Sequence, residues 1–328
     1  MMIAVDAAGG DYAPHEVVKG AVAAVEEYQL DVALVGRKAL LQMLARHHGM
    51  KSGLTIVQAS QVIECNESPL QAVRSKPDSS IVVGTKLVRD GTASAFVSAG
   101  NTGAVLCSAF LNLPRLKGVQ RPALCSVVSV DADSPFLLID VGANVDCRPE
   151  FLLEFAQLGT LFARGVLDID SPRVGLLADW DVSNGGSPLI AESYRLLSNS
   201  ALNFIDNIGG KDILRGKADV IVTDGFTGNI VLKTMEGLAG ILQNFLEADR
   251  VFKIGDSLRD TALVHYSQLI SIAERMDYKE YGGACLLGIR GNIIVAHGRS
   301  QARAIKNAIY LAHKAVRAGV TEMIGDGI

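Results

Sequence analysis

The chain has 328 residues, 31 Lys+Arg against 35 Asp+Glu, and a formal net charge of −4 at pH 7. Hydrophobic residues make up 49% and charged residues 20%, which describes a folded protein with a sizeable core and excludes a disordered one. The mild acidity argues against a nucleic-acid binder, and 5% aromatic residues give little material for stacking platforms.

No apolar run reaches the roughly 20 residues that span a bilayer. The start, Met1-Met-Ile-Ala-Val-Asp6, lacks the basic and apolar regions of a secretory signal. Cys65, Cys107, Cys125, Cys147 and Cys285 are odd in number and widely spaced. No disulfide framework or metal-ligand cluster is expected from them, and a reducing, cytoplasmic setting fits.

In chain order, four segments share one grammar: an apolar run, then a turn of Gly, Asp and Asn, then a helical pattern. They are Ile3–Asp11, Ala95–Gly103, Leu137–Asp146 and Val220–Asn229. Further strands are predicted at Asp31–Val35, Thr55–Gln58, Ala123–Val128, Val174–Leu177 and Ile293–Ala296. Helices are predicted at Pro14–Tyr28, Arg37–His47, Gly103–Asn112, Glu150–Arg164, Leu189–Ser198, Ile230–Leu246 and Arg299–Ala318. Continuous apolar strands alternating with helices predict an α/β fold with a mostly parallel sheet. The chain reads as a single body, residues 1–328, with two lobes. Residues 247–281 read as a helical excursion, serving a dimer or a membrane contact.

Ligands of such sheets bind beyond the carboxyl ends of the strands. All four Gly-rich turns lie at such ends, so they are expected to converge. In the second turn, Ser98, Gly100, Asn101, Thr102 and Gly103 follow a strand and open a helix. Glycine permits close backbone approach, and free helix N–H groups favour an anion. An ordinary N-cap turn is the alternative. In Asp224-Gly-Phe-Thr-Gly-Asn229, Thr227, Gly228 and Asn229 repeat this logic, and Lys233 lies one helical turn further on. Asp140 and Asn144 supply an acid and an amide, better suited to positioning than to holding a metal. Asp6, Gly9 and Gly10 form the first turn. Arg74 and Lys76 offer positive charge, and His297 is the candidate proton carrier.

No nucleophile elbow, zinc motif or dinucleotide fingerprint occurs. A chemistry that needs few side chains fits better. Phosphate attack on a thioester is one, because phosphate is already nucleophilic and a thiol of pKa about 8.5 leaves easily. Such a site needs an anion cradle, positioning and oxyanion donors.

Nine segments, in order, resemble the bacterial phosphate acyltransferase family. They are Ala4–Pro14, Asp78–Ile81, Ser98–Ala104, Arg121–Leu124, Asp140–Asn144, Asp224–Asn229, Leu232–Gly237, Asp277–Gly283 and Ala296–Gly298. The resemblance implies an α/β/α sandwich similar to the isocitrate/isopropylmalate dehydrogenase superfold, used without a nicotinamide or other cofactor. It also implies transfer of a fatty acyl group from acyl carrier protein to inorganic phosphate, a homodimer and peripheral membrane association. The chain departs from the family pattern at Gly175–Val182, at Gly185-Gly-Ser187 and at Asp206–Asp212. Two other readings stay open: a phosphate acyltransferase using short acyl-CoA, and a catalytically silent scaffold that binds acyl carrier protein.

Overall fold

The computed structural model describes residues 1–50, 52–129, 135–179, 187–249 and 280–327. The expected excursion at 247–281 and the altered segment at 180–186 therefore lie almost wholly outside the described residues.

Eleven strands form one sheet, ordered β3-β2-β1-β4-β11-β10-β5-β6-β9-β7-β8. They are β1 (Met2–Asp6), β2 (Asp31–Gly36), β3 (Leu54–Gln58), β4 (Ala95–Ser98), β5 (Ala123–Val128), β6 (Phe136–Ile139), β7 (Val174–Leu177), β8 (Phe204–Ile208), β9 (Val220–Val222), β10 (Ala284–Leu287) and β11 (Asn292–Val295). Most neighbours are parallel. The antiparallel pairs sit together in the middle, where β10 meets β11 and β5, and β5 meets β6. Strands β8 and β10 carry no clear sequence signal. β8 is an edge strand with Asp206 and Asn207 in its centre, and β10 is four residues enclosed by glycines.

Helices cover both faces. One face carries α1 (His15–Tyr28), α2 (Lys38–His47), α6 (Pro149–Val166), α7 (Pro188–Ser198) and the helix Ala302–Arg317, packed over Ile3, Leu34, Leu137 and Val220. The other carries α3 (Pro69–Ser75), α4 (Ser80–Arg89), α5 (Thr102–Asn112) and α8 (Gly225–Asp249), packed over Ala4, Phe96, Leu138 and Ile221. This is the three-layer α/β/α sandwich expected from the sequence. α6 shows why its residues form a helix: Phe151, Glu154, Phe155 and Leu158 recur at helical spacing, and all are buried. The helix α4 is not visible in the β-branched run Ile81-Val-Val83. Ser79 starts it by accepting from the Val82 N–H.

The convergence of four turns at one edge does not occur. β6 runs against β5, so β6, β9 and β7 point opposite to β1 and β4. The four turns therefore separate into two pairs at opposite edges. The turn after β1 packs on the turn after β4, where a Cβ on Gly9 would lie 2.7 Å from Gly100 Cα. The turn after β6 packs on the residues after β9, with the Gly225 N–H bonded to Asn144 O at 2.7 Å. The two pairs are joined by α8. It begins at Gly225 rather than at Ile230, because Asp224 caps it by accepting from both the N–H and the hydroxyl of Thr227. It then returns across the sheet face toward the other edge.

Gly84 on α4 lies against the fully buried Phe96, and a Cβ there would sit 2.0 Å from the ring. Gly84→Ala gains about 1 kcal/mol of helix propensity but forces a packed ring to move, at about 1–3 kcal/mol. The clash outweighs the propensity gain over most of that range, and urea unfolding should show a net loss of stability of up to about 2 kcal/mol.

Candidate active site

The space between the start of α5 and the flank of α8 is a cleft of about 410 Å³. Its floor is the sheet face at Leu124, Ser126, Val128, Ala284 and Val295. One wall is Gly100, Asn101, Thr102 and Gly103, at the start of α5. The other is Asn229, Leu232, Lys233 and Glu236 on α8, with His297 and Gly298 closing the end. Residues 229, 233 and 236 share a helix face, so one stripe of α8 covers about 10 Å of cleft.

At α5, the N–H groups of Thr102 and Gly103 have no partner within the helix. They meet the cleft beside the exposed Thr102 side chain. Asn101 is the cap: its Oδ1 accepts from the Ala104 N–H at 3.0 Å, and its amide donates to the carbonyls of Glu64, Cys65 and Glu67. The Asn101 side chain is thereby committed to holding the wall. Behind it, Asp6 is buried and accepts from the Ala8 and Gly9 N–H groups and from Ser98 Oγ, the last at 2.7 Å. Gly10, at φ +108°, brings the first turn against Ala99 and the Gly298 carbonyl. Asp6, Gly9, Gly10 and Ser98 therefore shape the loop from behind and do not line the cleft.

Asp140 organises the opposite edge. Its carboxylate is fully buried and accepts from the N–H groups of Leu124, Gly142, Ala143 and Asn144 and from the Asn144 amide. Burial pushes its pKa up, against the pull of those donors. Asn144 also donates to Pro122 O. Gly228 abuts the Asp140 carbonyl, where a Cβ would come within 1.9 Å. Asp140, Asn144, Asp224, Thr227 and Gly228 thus form one knot that seats the first turn of α8. It does not line the cleft, and only Asn229, beside it, does. Among the described residues no group of three or more His, Cys, Asp or Glu side chains could hold a metal.

Arg74 is exposed on α3 and away from the cleft. Lys76 is ion-paired with Glu67 and donates to Val62 O. Lys233 does reach the cleft, with its Nζ 2.7 Å from Glu236 Oε2. His297 Nε2 lies 3.5 Å from that same oxygen, and His297 Nδ1 accepts from the Arg299 N–H at 3.1 Å. The neutral ring therefore carries its proton on Nε2. Burial first, and then the Lys233 ammonium, pull the imidazole below the ordinary histidine range, while Glu236 opposes them. Glu236 and Tyr281, both at the cleft, went unnoticed in the sequence. Glu236 sits one turn after Lys233, a spacing that signals an ion pair. Tyr281 is held by a hydrogen bond to Ser129, with its phenol pKa raised by burial.

The cleft sets a helix N-terminus, a lysine and a histidine around an apolar sheet face in an α/β sandwich. Comparison with known proteins narrows this. The family model described as fatty acid synthesis protein matches residues 1–323. Phosphate acyltransferase from Dehalococcoides mccartyi is 49% identical over 100% of this chain and 94% of that protein. Phosphate acyltransferase from Pelotomaculum thermopropionicum is 45% identical over 100% of this chain and 95% of that protein. The chain belongs to the phosphate acyltransferase family and is an acyltransferase. In fold it is similar to a phosphotransacetylase from Streptococcus pyogenes, with TM-score 0.64, 18% identity, and 98% and 94% of the two chains covered. It is also similar to 4-hydroxythreonine-4-phosphate dehydrogenase from Klebsiella pneumoniae, with TM-score 0.54, 15% identity, and 96% and 99% covered.

Two outcomes test this geometry. Asp140→Ala strands five N–H donors, that of Leu124 buried and the others part-buried, and should cost at least about 3 kcal/mol in denaturant unfolding. The NMR titration of His297 should have its midpoint below that of an exposed histidine.

Proposed function

We propose that this enzyme transfers a fatty acyl group from acyl carrier protein to inorganic phosphate, by direct attack of phosphate on the thioester. The cleft carries the reading, because it sets an anion cradle and an apolar floor side by side. Hydrogen phosphate would lie between the N–H groups of Thr102 and Gly103 and the Lys233 ammonium. The acyl chain would lie on the floor at Leu124, Val128 and Val295. Asn229, on the α8 wall, would donate to the thioester oxygen as it gains charge.

In the step itself a phosphate oxygen bonds to the carbonyl carbon and the carbon–sulfur bond breaks. The acceptor's own P–OH proton balances the released thiolate, and His297 would relay it. Acyl phosphate and free thiol are the products. The family's description as a fatty acid synthesis protein favours a carrier-protein thioester over CoA. A homodimer belongs to the same reading, supported by Phe226, Ile230 and Ile241, which are large, apolar and exposed on α8. Among the described residues no helix is long and apolar enough to cross a membrane. A peripheral membrane contact is part of the same proposal.

The purified protein with a long-chain acyl-acyl carrier protein should release thiol and form acyl phosphate only when phosphate is present. Turnover of the CoA thioester alone would move the reading to the CoA-dependent alternative. Thioester binding without turnover would move it to the silent scaffold. Asn229→Ala should lower kcat by about tenfold or more without unfolding the protein, and an unchanged rate would remove Asn229 from the site. Lys233→Met should raise the phosphate KM about tenfold, as expected for loss of a charge-assisted contact.

A further inference from the structure

We propose that Glu236 is a positioning residue that holds Lys233 over the empty cleft and turns to His297 when phosphate takes the lysine. The inference rests on the reading of phosphate as acceptor. One oxygen, Glu236 Oε2, faces both partners: Lys233 Nζ at 2.7 Å and His297 Nε2 at 3.5 Å. The Glu236 side chain is only 15% exposed, whereas the Lys233 side chain is 52% exposed and free to swing on its stem. An i,i+3 ion pair on a helix adds little stability by itself. This pair stands instead at the wall of the cleft, beside the only histidine that lines it among the described residues.

A phosphate dianion offers Lys233 more charge than one carboxylate does. Once the ammonium turns to it, Glu236 Oε2 is left facing His297 Nε2. Among the described residues, the charged groups around the imidazole include Lys233 and Glu236 from α8, Asp11 from the turn after β1, and Arg299 on its own loop. Drawing the lysine away shifts that balance toward the acids, and the ring holds its proton more tightly. The ring then takes up a second proton on Nδ1, in place of the Arg299 N–H contact, and this imidazolium presents its Nε2–H to the thioester sulfur. As the phosphate oxygen–carbon bond forms and the carbon–sulfur bond breaks, that proton goes to sulfur. The acceptor's P–OH replaces it.

The test uses the isosteric Glu236→Gln in the full chain, with circular dichroism to check the fold. Binding of inorganic phosphate is measured by calorimetry, and the His297 ring is titrated by NMR with and without phosphate, no thioester being present. The variant should bind phosphate about threefold more tightly, because the internal competitor for Lys233 has lost its charge. The His297 midpoint should move to lower pH. Phosphate should raise that midpoint in the wild type and much less in the variant. In turnover, the phosphate KM should fall while kcat also falls, a split that loss of mere scaffolding does not give. Equal or weaker phosphate binding, or an unmoved His297 titration, would overturn the proposal. In a Lys233→Met background, Glu236→Gln should no longer change phosphate binding, and a persisting effect would overturn it too. Binding and titration need no acyl donor, so failure of the carrier-protein assay leaves both readable. If the wild type binds no phosphate, this proposal falls with the acceptor assignment.

Discussion

The site depends on one topological constraint, the reversal of strand direction between β5 and β6. A uniformly parallel sheet would gather its loops along one edge and bind its ligand there. Here the two halves point their carboxyl ends opposite ways. The conserved geometry of a strand-end site is replaced by a face site. One helix starts at one edge, crosses the sheet, and meets the loops of the other edge at its third turn. Everything that α8 presents, from Asn229 to Glu236, follows from where its first turn is fixed. That turn is fixed by Asp140.

Asp140 is an expensive device, since a carboxylate in the core gives up its hydration. Its pattern of partners explains why the fold tolerates it. Both oxygens are saturated by N–H groups from two chain segments, β5 and the turn after β6, so the carboxylate's hydration is replaced by fixed dipoles. Asp6 performs the same service more lightly at the other edge. It closes the first turn and orients Ser98, which in turn accepts from the Gly100 N–H. Two buried acids thus set the two walls of the cleft, and neither acid faces it. The acids and amides that look most chemical in the sequence are largely builders. In the proposed reaction the chemistry is left to backbone N–H groups, one lysine, one amide and one imidazole.

This division also explains what was legible in the sequence. Nine strands and seven helices were predicted close to their observed positions, because their apolar runs and helical stripes lie in the core of a three-layer fold. β8 escaped because it is a polar edge strand, and α4 because its β-branched residues contradict its helical state. The helix Val320–Gly327 escaped because Gly319, at φ +63°, looks like an end when it is a joint between two helices. The site was legible in part. Gly-Asn-Thr-Gly103 and the stripe Asn229–Lys233 carry their own local signal. Whether Asn144 or Thr227 reaches a ligand is decided by partners far away, such as Pro122 for Asn144, and no local pattern reports them.

The same logic accounts for how little a thioester-to-phosphate transfer asks of the protein. The nucleophile arrives charged and the leaving thiolate is stable, so the remaining task is to place a dianion against a carbonyl carbon without trapping it. A permanent, unopposed cation would hold the dianion too well, and binding that is equal in ground and transition states adds nothing to kcat. A lysine already paired with a carboxylate is a weaker trap. Its attraction for the incoming anion is reduced by the pair it must leave. The partner it leaves behind lies within reach of His297 and favours its protonated form. On the proposed reading, the Lys233–Glu236–His297 cluster would moderate acceptor binding and prepare the proton in a single rearrangement of three side chains.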